Sequence, residues 1–112
     1  MTSQTGCIQK TVKVNQRDFL VRILIYDNGN YISISERKEK IGTVIASINL
    51  GGKLSTATVI PSKSETIFLK MVSERVASIT NGICIFSLNI EKDLDLDCMK
   101  ALMDELMEII KY

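Results

Sequence analysis

The chain predicts an α+β fold. It is read as a single antiparallel sheet of about six strands, in the order five strands, helix, strand, helix, with both helices packed on one face. Three observations carry this. Up to Ile60, short runs alternate apolar and polar residues with a period of two, separated by turn sequences. From Ser64 the period lengthens to that of a helix, and it does so again near the end of the chain. Third, Phe19-Leu20-Val21-Arg22-Ile23-Leu24-Ile25-Tyr26 is apolar on both strand faces, with only Arg22 interrupting.

The elements follow in order. Met1–Gly6 is small and polar and is expected to be poorly ordered, leaving residues 7–112 as one domain. Cys7–Val14 is the first strand, and Asn15-Gln16-Arg17 a polar turn. The double-faced strand 18–26 leads into Asp27-Asn28-Gly29-Asn30, a hairpin signal because Asn and Gly tolerate positive φ. In the next strand Tyr31, Ser33 and Ser35 oppose Ile32 and Ile34. After the charged turn Lys38-Glu39-Lys40, Ile41–Leu50 sets Ile41, Thr43 and Ile45 against Val44, Ala46 and Ile48. Gly51-Gly52 breaks that run, and Thr56–Ile60 is a short fifth strand stopped by Pro61.

The first helix shows a stripe of Phe68, Val72, Val76 and Ile79, flanked by Ile67 and Met71. Ser62 or Ser64 is placed to cap it, with Glu65 in its first turn and Asn81-Gly82 ending it. Ile83–Ile90 returns to strand. The last helix carries Leu96, Met99, Leu102/Met103, Leu106 and Ile109/Ile110, with Asp93, Asp95 and Asp97 at its N-terminal end.

Most chemistry is excluded early. The chain has no histidine, which removes the common general base and histidine metal sites. Cys7, Cys84 and Cys98 lie far apart and read as reduced thiols of an intracellular protein, Cys84 in the core. No apolar run approaches the ~20 residues that span a bilayer. A net charge of +1 gives no case for nucleic acid or membrane. The charge is nevertheless uneven: residues 1–56 carry eight Lys/Arg against four Asp/Glu, and residues 57–112 six against nine.

Two partial motifs fail. Gly51-Gly52-Lys53-Leu54-Ser55 lacks the first glycine and the Ser/Thr of a phosphate loop and reads as a mobile turn. Asp93-x-Asp95-x-Asp97 opens like a calcium loop, yet Cys98 and Asp104 stand where Gly and Glu are needed. No catalytic residue, cofactor or metal is expected.

Geometry then points to a partner. Six strands at ~4.8 Å make a sheet roughly 30 Å wide, and two helices of ~10 Å cover roughly 20 Å of one face. The other face has no candidate cover, and an apolar sheet face of several hundred Å² does not stay in water.

The order of elements and several local runs resemble the proteasome assembly chaperone 3 family over nearly the whole length. The runs are Gln9-Lys10-Thr11, Ile41-Gly42-Thr43-Val44, Thr58-Val59-Ile60, the strand 83–90 running into Glu91-Lys92-Asp93, and Lys100-Ala101-Leu102. The stretch Asp27–Lys40 departs from the family in length and composition. The resemblance implies an antiparallel sheet with helices on one side. It implies a dimer through the sheet, with itself or with the related fourth chaperone. It further implies transient binding of alpha-type subunits of the 20S proteasome during alpha-ring assembly, in the cytoplasm and also the nucleus.

Helix packing takes the more continuous apolar set, here Phe19, Val21, Ile23 and Ile25. The partner face is then expected to hold Leu20, Arg22, Leu24 and Tyr26, with Ile32, Ile34, Val44 and Ala46 as neighbours, and Arg22 setting register. Client contact is assigned to the loop Asn49, Leu50, Gly51, Gly52, Lys53, Leu54 and Ser55, whose glycines let it adapt. The alternative is a dimeric scaffold of the longin or roadblock kind, serving a trafficking or signalling complex. Those folds place a helix among the early strands.

Overall fold

The computed structural model describes residues 6–61 and 66–110. The capping residues Ser62 and Ser64, and Glu65, lie outside the described residues, as do the first five of the N-terminal segment. Gly6 already belongs to a strand. The elements are β1 (Gly6–Val14), β2 (Arg17–Tyr26), β3 (Gly29–Glu36), β4 (Thr43–Leu50), β5 (Lys53–Ile60), α1 (Thr66–Thr80), β6 (Ile83–Asn89) and α2 (Leu96–Ile110). The order of elements is as predicted.

The sheet is six-stranded but mixed, not antiparallel throughout. Its order is β1-β2-β3-β6-β4-β5, with β6 inserted between β3 and β4 and parallel to β3. A meander was expected because short turns join the early strands. The physical reason for the insertion is the make-up of β6. Ile83-Cys84-Ile85-Phe86 is apolar on both faces, and a central slot pairs both of its backbone edges. β5 and β6 run in the same direction, so α1 serves as the crossover and packs over β4 and β6.

Turn chemistry sets the hairpin registers. Asn15 and Gln16 both have positive φ and form a two-residue turn that pairs Val14 with Arg17. Gly51 (φ 57°) and Gly52 (φ 86°) do the same between Leu50 and Lys53. β5 therefore begins at Lys53, earlier than the predicted Thr56. At the β2–β3 turn neither Asp27 nor Asn28 has positive φ, and Gly29 serves a different purpose. A Cβ there would stand 2.1 Å from the carbonyl oxygen of Ile83, so glycine is what lets β3 and β6 lie side by side.

Both helices cover the same sheet face. Phe19, Val21 and Ile23 of β2, Ile32 and Ile34 of β3, Phe86 of β6 and Ile45 of β4 pack into one core with Phe68, Leu69, Val72 and Val76 of α1 and Leu102 and Leu106 of α2. Burying each such side chain contributes roughly 1.5–3 kcal/mol. Phe68, Val72 and Val76 of the predicted α1 stripe are buried, but its flank lies on the other side. Leu69, Ser73 and Ala77 face inward, while Ile67, Met71 and Ile79 are exposed. Ser73 is tolerated because its hydroxyl meets that of Ser47 at 2.8 Å; Ser47 in turn meets Thr56 at 2.9 Å. α2 is capped by Asp95, whose carboxylate accepts the backbone N–H of Cys98 at 2.8 Å and is held below the usual carboxylate range by that bond. Asn81 (φ 52°) ends α1 in the left-handed conformation, as its sequence signalled.

One buried ion pair pins the base of the sheet. Arg17 donates to both oxygens of Glu36 (Nε–Oε2 2.9 Å, Nη2–Oε1 2.7 Å), and the two residues are 6% and 5% exposed. The same guanidinium donates to the carbonyls of Lys92 (2.8 Å) and Asp93 (2.9 Å) and lies 5.1 Å over the Phe19 ring. Glu36 also accepts the backbone N–H of Glu91 at 3.0 Å. The pair thus joins the start of β2, the end of β3 and the connection from β6 to α2.

The ion pair and Gly29 support three stability predictions. Glu36→Ala leaves a buried unpaired cation and is expected to cost about 3–5 kcal/mol. The Arg17 hydrogen bond holds the Glu36 carboxyl below its ordinary value. Its stabilisation is therefore full above the unfolded carboxylate pKa of ~4.3 and is lost as pH falls through the lower folded value. Urea titrations from pH 7 to pH 3 should show a shallower acid loss for the double variant Arg17→Met/Glu36→Leu than for the native chain; equal slopes would refute the assignment. Gly29→Ala should destabilise by about 1–3 kcal/mol through overpacking against β6, read as a lowered thermal midpoint. An unchanged midpoint would mean that β3 and β6 are not held so closely.

Candidate functional site

The helix-free face can be read as rows across the sheet, because cross-strand partners share a face. One row is Cys7–Leu24–Tyr31–Ile85–Ala46–Ala57. The next, toward the β2–β3 turn, is Tyr26–Gly29–Ile83–Ile48–Ser55. These rows are almost wholly apolar. The neighbouring row on the other side is Gln9–Arg22–Ser33–Ser87–Val44–Ile60, and it is largely polar.

The polar row is partly closed by the chain itself. Because β6 lies between β3 and β4, the connection 37–42 must cross β6, and it does so on the helix-free side. Glu39 from this connection pairs with Arg22 (2.8 Å), and the N–H of Gly42 donates to the Ser87 hydroxyl (3.3 Å). Asn89 holds the carbonyl of Lys38 at 3.1 Å. Ser35, Ser87 and Val44 are buried although no helix covers them. Arg22, expected to set a partner's register, is thus engaged within its own chain.

The apolar rows stay open among the described residues. Leu24, Tyr31, Ile83 and Ile85 are half-buried and Tyr26 is 52% exposed. With Asn28, Gly29 and Asn30 they line a concavity of about 510 Å³. Aromatic and aliphatic side chains around such a hollow are what buried anchor residues of an interface need.

Leu20, Arg22, Leu24, Tyr26, Val44 and Ala46 lie on the helix-free face, and Phe19, Val21, Ile23 and Ile25 on the helix side. Two assignments are overturned. Ile32 and Ile34 pair with Ile23 and Val21, face the helices and are fully buried. They cannot meet a partner across the open face. The alternation had split this strand correctly, but the apolar set was given to the wrong side. Tyr31, Ile83, Ile85 and Ile48 were missed. Tyr31 had a signal: a two-residue turn at Asp27-Asn28 pairs positions summing to a constant, which sets Leu24 opposite Tyr31.

The segment Asn49–Ser55 is not a mobile loop. Asn49 pairs with Leu54 and Leu50 with Lys53, so only Gly51 and Gly52 form the turn, and Ser55 is within β5. The expectation failed because a Gly-Gly pair in two left-handed residues makes a tight hairpin. Leu50, 67% exposed, stands at its tip.

Among the described residues, the two buried cysteines and the paired charges below offer no reactive centre. Burial pushes the Cys84 thiol up to about 12, and Cys98 is also raised by burial. A polar hollow between the β1–β2 turn and the β6–α2 connection is lined by Arg17 and Glu36, which are consumed by each other, and by Arg37, which meets Glu91 at 3.2 Å.

No family model matches the chain, and no curated protein matches it. Among solved structures it is similar to a chain in the crystal structure of a novel chaperone complex for yeast 20S proteasome assembly. The two share 13% sequence identity, with 96% of this chain and 90% of that chain covered, at a TM-score of 0.61. The likeness is one of fold, and it spans the whole arrangement of sheet and helices described above.

Proposed function

We propose that the chain is a non-enzymatic chaperone for assembly of the 20S proteasome alpha ring. It acts as a dimer, with itself or a related chaperone, and binds alpha-type subunits transiently in the cytoplasm or nucleus. The observation that carries this reading is the open apolar pair of rows centred on Leu24, Tyr31, Ile83 and Ile85. It lies on a fold similar, nearly end to end, to a component of a chaperone complex for proteasome assembly. A large apolar sheet face on a small protein is stable when a second protein covers it. The mechanism is binding and release: the face holds the dimer, and the tip of the β4–β5 hairpin, with Leu50, meets the client.

Leu24→Asp sets a charge in the middle of the open face without touching the helix-side core. It should convert the dimer to a monomer in light scattering while the thermal midpoint of the protomer changes little. A dimer of unchanged mass would rule out this face. For the client, a tagged chain recovered from cells should bring down alpha-type subunits without beta-type subunits. Leu50→Ser should lower that recovery severalfold while leaving the dimer intact. Capture of neither subunit type, or of whole proteasomes, would overturn the assembly reading.

A further inference from the structure

The two edges of the sheet, β1 and β5, are built differently. An edge strand presents unpaired backbone N–H and C=O groups, which proteins blunt with lysines, proline or covering elements. β1 carries Lys10 and Lys13, and Lys10 is tied to Glu105 of α2. β5 carries a single charge, Lys53 at its first position, and then Leu54-Ser55-Thr56-Ala57-Thr58-Val59-Ile60. Leu54 (43%), Val59 (60%) and Ile60 (43%) are exposed. Among the described residues, no strand pairs with the outer side of β5. A register shift at Val44/Ile45 leaves Val59 as an extra residue on β5, which confines the regular ladder to residues 53–58.

We propose that the outer edge of β5 is a docking site for an extended, uncharged segment of another protein, added to the sheet as a further strand. The chemistry of the edge selects this occupant. Its unmet groups are backbone donors and acceptors at strand spacing, which only another extended backbone matches in series. Beyond Lys53 and Leu54 its side chains are small, hydroxylated or β-branched, so residues 55–58 favour a segment of similar uncharged residues and offer little to an acidic or basic one. A second copy of β5 is the other conceivable occupant. So short a ladder would bury far less than the ~1,200 Å² at which stable interfaces begin, so it suits a reversible peptide contact better than a standing dimer. The site borders the open face, whose rows end at Ser55 and Ala57, but it uses the backbone edge and does not depend on the assembly reading.

The test uses the full chain and a short capped peptide of alternating threonine and valine, ended by one lysine for solubility. A second peptide of the same sequence is N-methylated at every residue, which removes the donors of both edges. In NMR titrations the plain peptide should shift the β5 amides and leave those of β1 unmoved. The methylated peptide should bind at least about tenfold more weakly. Thr58→Lys, at an exposed position on the helix side of β5, should weaken the plain peptide to a similar extent. Unperturbed β5 amides, or equal binding of both peptides, would overturn the proposal. So would a Thr58→Lys variant that loses self-association while the peptide leaves β5 untouched, since the occupant would then be a second copy.

Discussion

The placement of β6 governs the rest of the molecule. A strand apolar on both faces gains most from neighbours at both backbone edges, and the centre of the sheet supplies them. Once it stands between β3 and β4, their connection has to cross it. The crossing runs over the helix-free face, brings Glu39 to Arg22 and Gly42 to Ser87, and closes the polar half of that face. What stays open is the pair of apolar rows on the side away from the crossing. The extent of the open apolar surface is thus set by where one strand is inserted. Gly29, where a Cβ would meet the Ile83 carbonyl, is part of the same arrangement.

Much of this was legible in the sequence, and the parts that were not share a cause. Element types and their order follow from local periodicity, and all eight elements appear as read. The two sides of β2 were also legible, because the continuous set Phe19, Val21, Ile23 and Ile25 is the one that helices bury. What periodicity does not carry is which strands lie side by side. The position of β6, and with it the contribution of Ile83 and Ile85 to the open face, is long-range information of that kind. Ile32 and Ile34 are a different case, because the two-residue turn before them carries the register and sets them on the helix side. The Arg17–Glu36 pair was invisible for a third reason. Arg17 reads as part of a polar turn and Glu36 as a polar residue beside a charged turn, and only the fold brings the β6–α2 connection over them.

Rigid and adaptable regions are distributed unevenly. The Arg17 network ties three segments together at one end of the sheet. At the other side, the hydroxyls of Ser47, Thr56 and Ser73, with Glu74 accepting from Thr56 at 2.5 Å, fasten α1 to the β4–β5 hairpin. These contacts hold the backbone of the open face in a pre-formed arrangement. A pre-formed surface loses little conformational entropy on association, so even a modest apolar area can hold a partner and then release it.

The burial of two of the three thiols has a practical corollary. Cys84 and Cys98 are fully enclosed, and burial raises both above the range in which a thiol reacts readily. Cys7 is exposed and shares a row with Leu24 and Tyr31. The unaltered chain therefore carries its own chemical footprint probe: the rate at which an alkylating reagent modifies Cys7 reports whether the apolar rows beside it are bare or occupied.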